Sequence, residues 1–176
     1  DAIVDSQSGV TRDRHYGKSD WNGRGFTLID TGGYLENSED VFQKEIDKQV
    51  SLAVEEADAI IFIVDVIDGV TGMDQNIAKL LRRSSKPIYL AINKVDNTSR
   101  TQMTSEFYSL GYKNFYCISS VSGSGTGELL DDLISQMPDE EKKIGDELPN
   151  FAVVGRPNAG KSSFINAIIG KERNIV

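Results

Sequence analysis

The sequence predicts an α/β fold: a three-layer sandwich whose sheet is mostly parallel, with one antiparallel hairpin. Short apolar runs alternate with segments of helical periodicity along the 176 residues, which is typical of helices layered on a sheet. Asn22-Gly23 lies between two strand-like runs and is a strong signal for a tight hairpin. Residues 155–162 read GRPNAGKS and match the phosphate-binding pattern G-x-x-x-x-G-K-[ST]. Such a loop normally opens its domain, so its late position is informative too.

The first part of the chain predicts a hairpin followed by a helix. Residues 15–21 and 25–29 form the two strands around Asn22-Gly23, and a loop rich in glycine, asparagine and serine covers residues 31–39. A helix is predicted at residues 41–57, because apolar side chains recur there at helical spacing: Phe42, Ile46, Val50, Ala53 and Ala57.

The middle of the chain continues the alternation of strands and helices. Residues 59–64 are continuously apolar, as expected for a strand that is covered on both faces. The elements predicted after it are a helix at 74–83, a strand at 87–92, a helix at 101–110, a strand at 114–118 and a helix at 128–137, capped near Thr126 or Gly127.

A polar segment, residues 138–148, separates these elements from the phosphate-binding loop. It contains one proline, many charges and almost nothing apolar, which indicates a linker or a domain boundary. A short strand at 151–154 then leads into the loop, and a helix is predicted at 161–169.

Composition excludes several classes of protein. Hydrophobic residues make up 39% and charged residues 26%, an ordinary balance for a globular domain. The net charge of −8 argues against broad attraction to nucleic acid or to an anionic membrane. The single cysteine, Cys117, cannot form an internal disulfide and favours a reduced, cytoplasmic protein. We expect no membrane span and no signal peptide, since no segment approaches the ~20 apolar residues of a span.

The phosphate-binding loop carries the strongest chemical signal. Its glycines let backbone N–H groups wrap the phosphates of a nucleotide, and the N-terminus of the next helix assists them. Lys161 is expected to reach the β and γ phosphates, and Ser162 to bind Mg²⁺. A chance glycine turn is the weaker alternative, because strand, loop and helix occur in the required order. The residues expected to contact the nucleotide here are Asn158, Ala159, Gly160, Lys161, Ser162 and Ser163.

A second signal is Asp30-Thr31-Gly32-Gly33, directly after a predicted strand. The carboxylate of Asp30 can hold the Mg²⁺ shell, often through water. The N–H of Gly33 can reach a γ-phosphate. An isolated D-x-x-G is usually just a turn, and the position after a hairpin is what favours the functional interpretation.

A third signal, Asn93-Lys94-Val95-Asp96, follows the strand at 87–92. Asp96 can accept hydrogen bonds from the N1–H and N2–H₂ groups of guanine, whereas adenine offers neither donor in that place. Lys94 can pack its stem over the base, and Asn93 can tie this segment to the phosphate-binding loop. A polar turn is the alternative.

Two weaker signals complete the set. Ser119, Ser120 and Val121 follow the next strand, where a backbone N–H is expected to bind the guanine O6. Thr11, in the segment GVTRD, is expected to complete the Mg²⁺ coordination when a γ-phosphate is present. Alone, these would be a serine-rich loop and a surface threonine. Because the signals fall at the ends of strands, where α/β sheets bind ligands, together they predict a guanine-nucleotide site.

These segments resemble the Der (EngA) family of bacterial tandem GTPases, which assist assembly of the large ribosomal subunit. The resemblance rests on DSQSGVTRDR at 5–14, DTGGY at 30–34, NKVD at 93–96 and the phosphate-binding loop. Residues 1–137 are similar to the first GTPase domain after its own phosphate-binding loop, and residues 149–176 to the start of the second. The family's first phosphate-binding loop, second switch loops and KH-like domain have no counterpart in this sequence.

The resemblance implies a Ras-like P-loop GTPase that hydrolyses GTP to GDP and phosphate with Mg²⁺ and K⁺, and the large ribosomal subunit as partner. Lys161, Thr11, Gly33 and Asn158 are the implied catalytic residues. Asn158 resembles the asparagine with which related GTPases hold a K⁺ that replaces an arginine finger; a turn asparagine is the alternative. Tyr34 stands where Ras-like enzymes place a water-orienting glutamine.

The order of the segments predicts one circularly permuted domain over residues 1–176. At ~3.3 Å per residue, the linker of roughly ten residues reaches ~30 Å, enough to bring strand 151–154 beside the strand that ends at Asp30. A domain-swapped dimer is the alternative to a monomer, and an open fragment would expose strand 59–64. Two functions stay open: a K⁺-stimulated GTPase, and a nucleotide-dependent binding module that holds GDP with little turnover.

Overall fold

A computed structural model describes residues 15–31, 39–137 and 148–170. Within these ranges the chain forms a six-stranded sheet with helices on both faces. The strands are β1 (His15–Trp21), β2 (Arg24–Asp30), β3 (Ala59–Asp65), β4 (Ile88–Asn93), β5 (Phe115–Cys117) and β6 (Asn150–Val154). The helices are α1 (Glu39–Glu56), α2 (Gly72–Leu81), α3 (Thr98–Met103), α4 (Thr126–Ser135) and α5 (Lys161–Ile169), and a 3₁₀ helix, Thr104–Leu110, follows α3.

The predicted hairpin is confirmed at the edge of the sheet. β1 and β2 pair antiparallel, with Trp21 opposite Arg24. The turn residues Asn22 and Gly23 have φ angles of 52° and 78°, the left-handed conformation that the type I′ hairpin turn requires at both positions.

The strand order is β1-β2-β6-β3-β4-β5, and every neighbouring pair after the hairpin is parallel. The late strand β6 therefore lies between two earlier strands. Asp30 of β2 is opposite Val153 of β6, and Phe62 of β3 is opposite Val154. The predicted position of this strand, beside the one that ends at Asp30, is confirmed.

Two apolar layers cover the sheet. All seven residues of β3 are buried, as predicted for a strand covered on both faces. Alternate residues of β3 face opposite layers: Ile60, Phe62 and Val64 pack in the cluster with α1 and α2, and Ile61 and Ile63 in the cluster with α4 and α5. The three-layer α/β architecture is thus confirmed.

The boundaries of four helices differ from the prediction. α1 spans Glu39–Glu56, where the sequence predicts residues 41–57. α2 begins at Gly72, since Thr71 and Asp74 form a reciprocal capping box. The single helix predicted at 101–110 is α3, capped by the Asn97 side chain, followed by the 3₁₀ helix. α4 begins at Thr126, two residues earlier than predicted. Its N-cap is Gly125 and not Thr126 or Gly127, and this glycine makes no side-chain cap hydrogen bond. The predicted linker lies outside the described residues except for Leu148, and no described helix is long and apolar enough to cross a membrane.

Candidate functional site

Four parallel strands bring the predicted site segments to one edge of the sheet. Asp30 ends β2, the phosphate-binding loop follows β6, Asp65 ends β3 and Asn93 ends β4. Asp65 and Asn93 are opposite each other in the strand register. Because the carboxyl ends of parallel strands form a common crevice, residues far apart in the chain become neighbours here.

Two glycines let the phosphate-binding loop approach the sheet closely. A Cβ on Gly155 would lie 2.3 Å from the backbone oxygen of Ile63. A Cβ on Gly160 would lie 2.1 Å from Nδ2 of Asn93, and its φ of 98° is one that L side chains rarely adopt. Glycine at both positions is therefore required by the packing of the loop against β3 and β4.

The loop presents backbone donors at the start of α5. The first helical hydrogen bond runs from the N–H of Phe164 to the oxygen of Gly160, at 2.9 Å. Within the described ranges, no backbone carbonyl accepts from the N–H groups of residues 160–163. These groups and the positive end of the helix form a concave site for an anion. Ala159 is fully buried, and Asn158 has a left-handed φ of 63°.

Lys161 lies beneath the loop and is only 5% exposed. Its Nζ donates to the backbone oxygen of Arg156 at 3.0 Å. Burial lowers the pKa of the Lys161 ammonium, an effect that the Asp30 carboxylate opposes and the Arg156 guanidinium reinforces. A bound anion would oppose this effect of burial and stabilise the charged ammonium.

Asp30 and Ser162 provide the oxygens of the predicted Mg²⁺ site. The Ser162 hydroxyl donates to Oδ2 of Asp30 at 3.1 Å, and Asp30 is 3% exposed. A hydroxyl beside a carboxylate is an oxygen-only donor set, which suits Mg²⁺ held mainly by phosphates and water. No group of three or more acidic, histidine or cysteine side chains that could hold a metal occurs in the described part of the chain. Thr11, Gly33 and Tyr34 lie outside that part.

Asn93 joins three segments of the site. Its contact with the phosphate-binding loop is the one that the sequence predicts. Its Nδ2 donates to the backbone oxygen of Ala159 at 2.9 Å, which ties the NKVD segment to the phosphate-binding loop. Its Oδ1 accepts from both the N–H and the hydroxyl of Ser120, at 3.0 and 2.9 Å. Asn93 is 2% exposed, so these hydrogen bonds are shielded from water.

Asp96 is half exposed and paired with a residue that the sequence reading missed. Arg100 donates to Oδ2 of Asp96 at 2.6 Å, and the Asn97 side chain donates to Oδ1 at 2.9 Å. Arg100 also donates to the backbone oxygen of Lys94 at 3.0 Å. The i,i+4 spacing of Asp96 and Arg100 on a helical start is the signal that could have identified this pair.

The Ser119–Val121 segment is only partly open to a ligand. The N–H of Ser119 donates to the oxygen of Ser124, and the N–H of Ser120 is engaged with Asn93. Val121 is 94% exposed, and no described residue accepts from its N–H. Of the three backbone N–H groups in this segment, the one left for a ligand is that of Val121.

Ion pairs beside the phosphate-binding loop involve four residues that the sequence analysis did not select as site residues: Asp65, Asp68, Asp74 and Arg156. Lys94 forms an ion pair with Asp65 at 2.6 Å, so its ammonium points to β3. Arg156 reaches Asp68 at 2.6 Å, Asp74 at 3.6 Å and Asp65 at 3.8 Å. Asp65 stands at a strand end, the same signal that selected Asp30 and Asn93.

One family profile, described as 50S ribosome-binding GTPase, matches residues 1–94 and 150–176. Its two matched segments include the phosphate-binding loop, Asp30 and Asn93.

Curated relatives match the whole chain. The chain is 65% identical over 176 residues to GTPase Der of Christiangramia forsetii, and 62% identical over 178 residues to GTPase Der of Flavobacterium johnsoniae. Each alignment covers 100% of this chain and 41% of the relative. The chain thus spans about two fifths of the length of the curated relatives it matches. The resemblance inferred from the sequence segments is confirmed.

Solved structures share the architecture at low sequence identity. Era, in complex with MgGDPNP and nucleotides 1506–1542 of 16S ribosomal RNA, aligns with a TM-score of 0.61 and 22% identity over 84% of this chain and 52% of that chain. Elongation factor SelB from Methanococcus maripaludis, in complex with the GTP analogue GppNHp, aligns with a TM-score of 0.52 and 20% identity over 71% of this chain and 28% of its own. The predicted Ras-like fold agrees with both.

Proposed function

Since the chain belongs to the 50S ribosome-binding GTPase family, we propose that the sheet edge formed by β2, β6, β3 and β4 binds GTP and GDP and hydrolyses GTP to GDP and phosphate. The observation that carries the proposal is the hydrogen bond of Asn93 to Ala159, which holds the predicted base-binding segment against the phosphate-binding loop. A phosphate and a guanine bound to these two segments belong to one nucleotide.

The phosphates are proposed to lie on the N–H groups of residues 160–163, with the Lys161 ammonium on the β and γ phosphates. Phosphoryl transfer requires positioning and charge stabilisation more than covalent chemistry. The buried Lys161 supplies charge in a site of low dielectric, where it acts more strongly than in water. Gly33 would add its N–H to the γ-phosphate.

Ser162 would bind Mg²⁺ directly, Asp30 through water, and Thr11 in the GTP state. When bound, Mg²⁺ neutralises charge on the β and γ phosphate oxygens. The 3.1 Å contact between the Ser162 hydroxyl and Asp30 supports this set, because both oxygens are already adjacent. Asn158 is the proposed K⁺ ligand, as the family resemblance implies.

Guanine is proposed to bind Asp96, with the Lys94 stem over the base and an N–H of the Ser119–Val121 segment on O6. Arg100 and Asn97 orient the Asp96 carboxylate through its two oxygens. A carboxylate has about four acceptor sites, so these contacts leave room for both guanine donors.

We further propose that residues 1–176 form a single permuted domain, with the phosphate-binding strand supplied late in the chain. The position of β6 between β2 and β3 supports this arrangement. Size-exclusion chromatography at several concentrations tests it. A monomer at all concentrations is the expected result, whereas a concentration-dependent dimer would favour a domain swap.

The large ribosomal subunit is the proposed partner, from the family description. The cytoplasm is the proposed location, because a single cysteine favours a reducing compartment. Co-sedimentation with purified 50S subunits, in GDPNP and in GDP, tests this partner. If the same amount of the protein pellets with and without 50S subunits, in both nucleotides, the proposed partner is contradicted.

Phosphate release tests the proposed activity. Turnover of GTP in Mg²⁺ should rise when NaCl is replaced by KCl at equal ionic strength, and Asn158→Ala should remove the rise. Tight GDP binding with no turnover in either salt would instead favour the nucleotide-dependent binding module.

A further inference from the structure

Asp65 occupies the junction between the two halves of the proposed site. It ends β3, whose neighbours in the sheet are β6, which precedes the phosphate-binding loop, and β4, which precedes the NKVD segment. Its side chain is 1% exposed. Oδ1 accepts from the N–H of Ile67 at 2.9 Å, so one oxygen is fixed by the backbone of its own loop.

The other oxygen of Asp65 faces two cations from different segments. Nζ of Lys94 lies 2.6 Å from Oδ2, and a guanidinium nitrogen of Arg156 lies 3.8 Å from the same atom. Lys94 belongs to the base-binding segment, and Arg156 is the second residue of the phosphate-binding loop. One buried carboxylate therefore serves both segments.

Arg156 extends the connection to the phosphates. Its backbone oxygen accepts from Nζ of Lys161 at 3.0 Å, the ammonium proposed to contact the β and γ phosphates. Three contacts thus connect Lys94 to Lys161 through Asp65 and Arg156. The first two are between charged side chains, and the third runs through the backbone oxygen of Arg156.

We propose that Asp65 is a positioning residue that couples recognition of the guanine base to the placement of the phosphate-binding loop. The inference rests on the proposed function and deepens it. A base that packs against the Lys94 stem fixes the ammonium, the ammonium fixes the buried Asp65 carboxylate, and the carboxylate helps to hold Arg156.

Burial makes the Asp65 carboxylate depend on its two cations. Asp65 is 1% exposed whereas Lys94 is 37% exposed, and removal of a cation beside a buried carboxylate leaves a poorly compensated charge. Asp68 contacts the same guanidinium at 2.6 Å but is 52% exposed, and exposed pairs contribute little. Asp74 is fully buried and lies 3.6 Å from Arg156 Nε, but it also forms the capping box of α2. In the described part of the chain Asp74 forms no ion pair with Lys94, so it does not join the two segments.

A double-mutant cycle on GDP binding tests the coupling. Lys94→Met and Arg156→Met are each made alone and together, and the affinity for a fluorescent GDP analogue is titrated in Mg²⁺. With Asp65 present, the GDP affinity of the double variant should differ by about fivefold or more from the value expected if the two effects were additive. In an Asp65→Asn background, the two effects on GDP affinity should be additive within about twofold.

Asp68→Asn is the matched control, since it removes a carboxylate from the same guanidinium without touching Lys94. The departure from additivity should persist in that background. Its disappearance there, or its persistence in Asp65→Asn, would overturn the proposal.

Folding and function are separated by two measurements. Thermal unfolding without nucleotide shows whether Asp65→Asn is folded. If this variant does not fold, the cycle in the parent chain still tests the coupling. The coupling is refuted there if the effects of Lys94→Met and Arg156→Met on GDP affinity add to within about twofold. A parent chain that fails to bind GDP refutes the proposed function instead, before any variant is compared.

Discussion

The hydroxyl of Ser162 donates to Oδ2 of Asp30 at 3.1 Å, although the two residues are 132 positions apart. The contact exists because β6 pairs with β2, so that the start of α5 meets the end of β2. It joins the hydroxyl of the phosphate-binding loop to the carboxylate of the D-x-x-G segment.

Ser162→Ala should remove the direct Mg²⁺ ligand while leaving the backbone N–H groups in place. The affinity for a fluorescent GTP analogue in Mg²⁺ should fall by roughly 10–100-fold, the range for loss of a well-placed metal contact. With EDTA, the parent and the variant should differ little. Ser84→Ala, at a serine outside the site, is the control. An equal loss with and without Mg²⁺ would show that the hydroxyl acts on the nucleotide and not on the metal.

Asn93→Ala should destabilise the fold as well as the site. The change leaves the Ala159 oxygen and the Ser120 N–H without their side-chain partner, at a position that is 2% exposed. We expect a loss of about 2–4 kcal/mol in the free energy of unfolding by urea, since unsatisfied buried groups cost about 1–3 kcal/mol each. Asn97→Ala removes the cap of α3 and one exposed hydrogen bond to Asp96, and should cost only about 1 kcal/mol. Similar losses for the two variants would argue against a bridging role of Asn93.

Asp96→Asn should change which base is bound. An amide can donate to the O2 that xanthine carries in place of the guanine amino group, whereas a carboxylate can only accept. The affinity for GDP should fall by about 10–100-fold and that for XDP should rise, because each misplaced hydrogen bond to a base costs about 1–3 kcal/mol. Competition titrations with GDP, XDP and ADP measure the selectivity. Unchanged preference for GDP over XDP would remove Asp96 from the base site.

Gly160→Ala should disrupt the phosphate-binding loop. The new Cβ would lie 2.1 Å from Asn93 Nδ2 at a φ of 98°. We expect a loss of at least about 2 kcal/mol in the free energy of unfolding, together with loss of nucleotide binding. Gly72→Ala is the matched control, because nothing lies within 4 Å of a Cβ there and the residue opens a helix. That variant should be neutral or slightly stabilising.

The sequence predicted the layers and the strand ends of the site because both follow from local pattern. The continuous apolar run of β3 and the turn at Asn22-Gly23 are both signals carried by residues adjacent in the chain. The role of Asp65 could not be seen in this way, since its partners Lys94 and Arg156 come from two other segments and only the strand register brings them together. Arg156 also occupies a variable position of the loop pattern, where the sequence places no chemical requirement.

Tyr89 should give the protein a steeper loss of stability at alkaline pH. Burial raises the pKa of Tyr89 from 10.0 to about 12, and the nearby Asp132 carboxylate adds to the effect. Between these two values the unfolded chain has lost the phenolic proton and the folded chain retains it. The unfolded state therefore binds fewer protons, and the stability that is fully present below pH 10 declines as the pH rises towards 12. Urea unfolding at pH 8, 10 and 11 measures this decline. In Tyr89→Phe the loss of unfolding free energy between pH 8 and 11 should be smaller by up to about 1.4 kcal/mol. Every other tyrosine is present in both the parent and the Tyr89→Phe variant. If unfolding free energy declines equally with pH in the two proteins, Tyr89 titrates alike in the folded and the unfolded state, which contradicts the prediction.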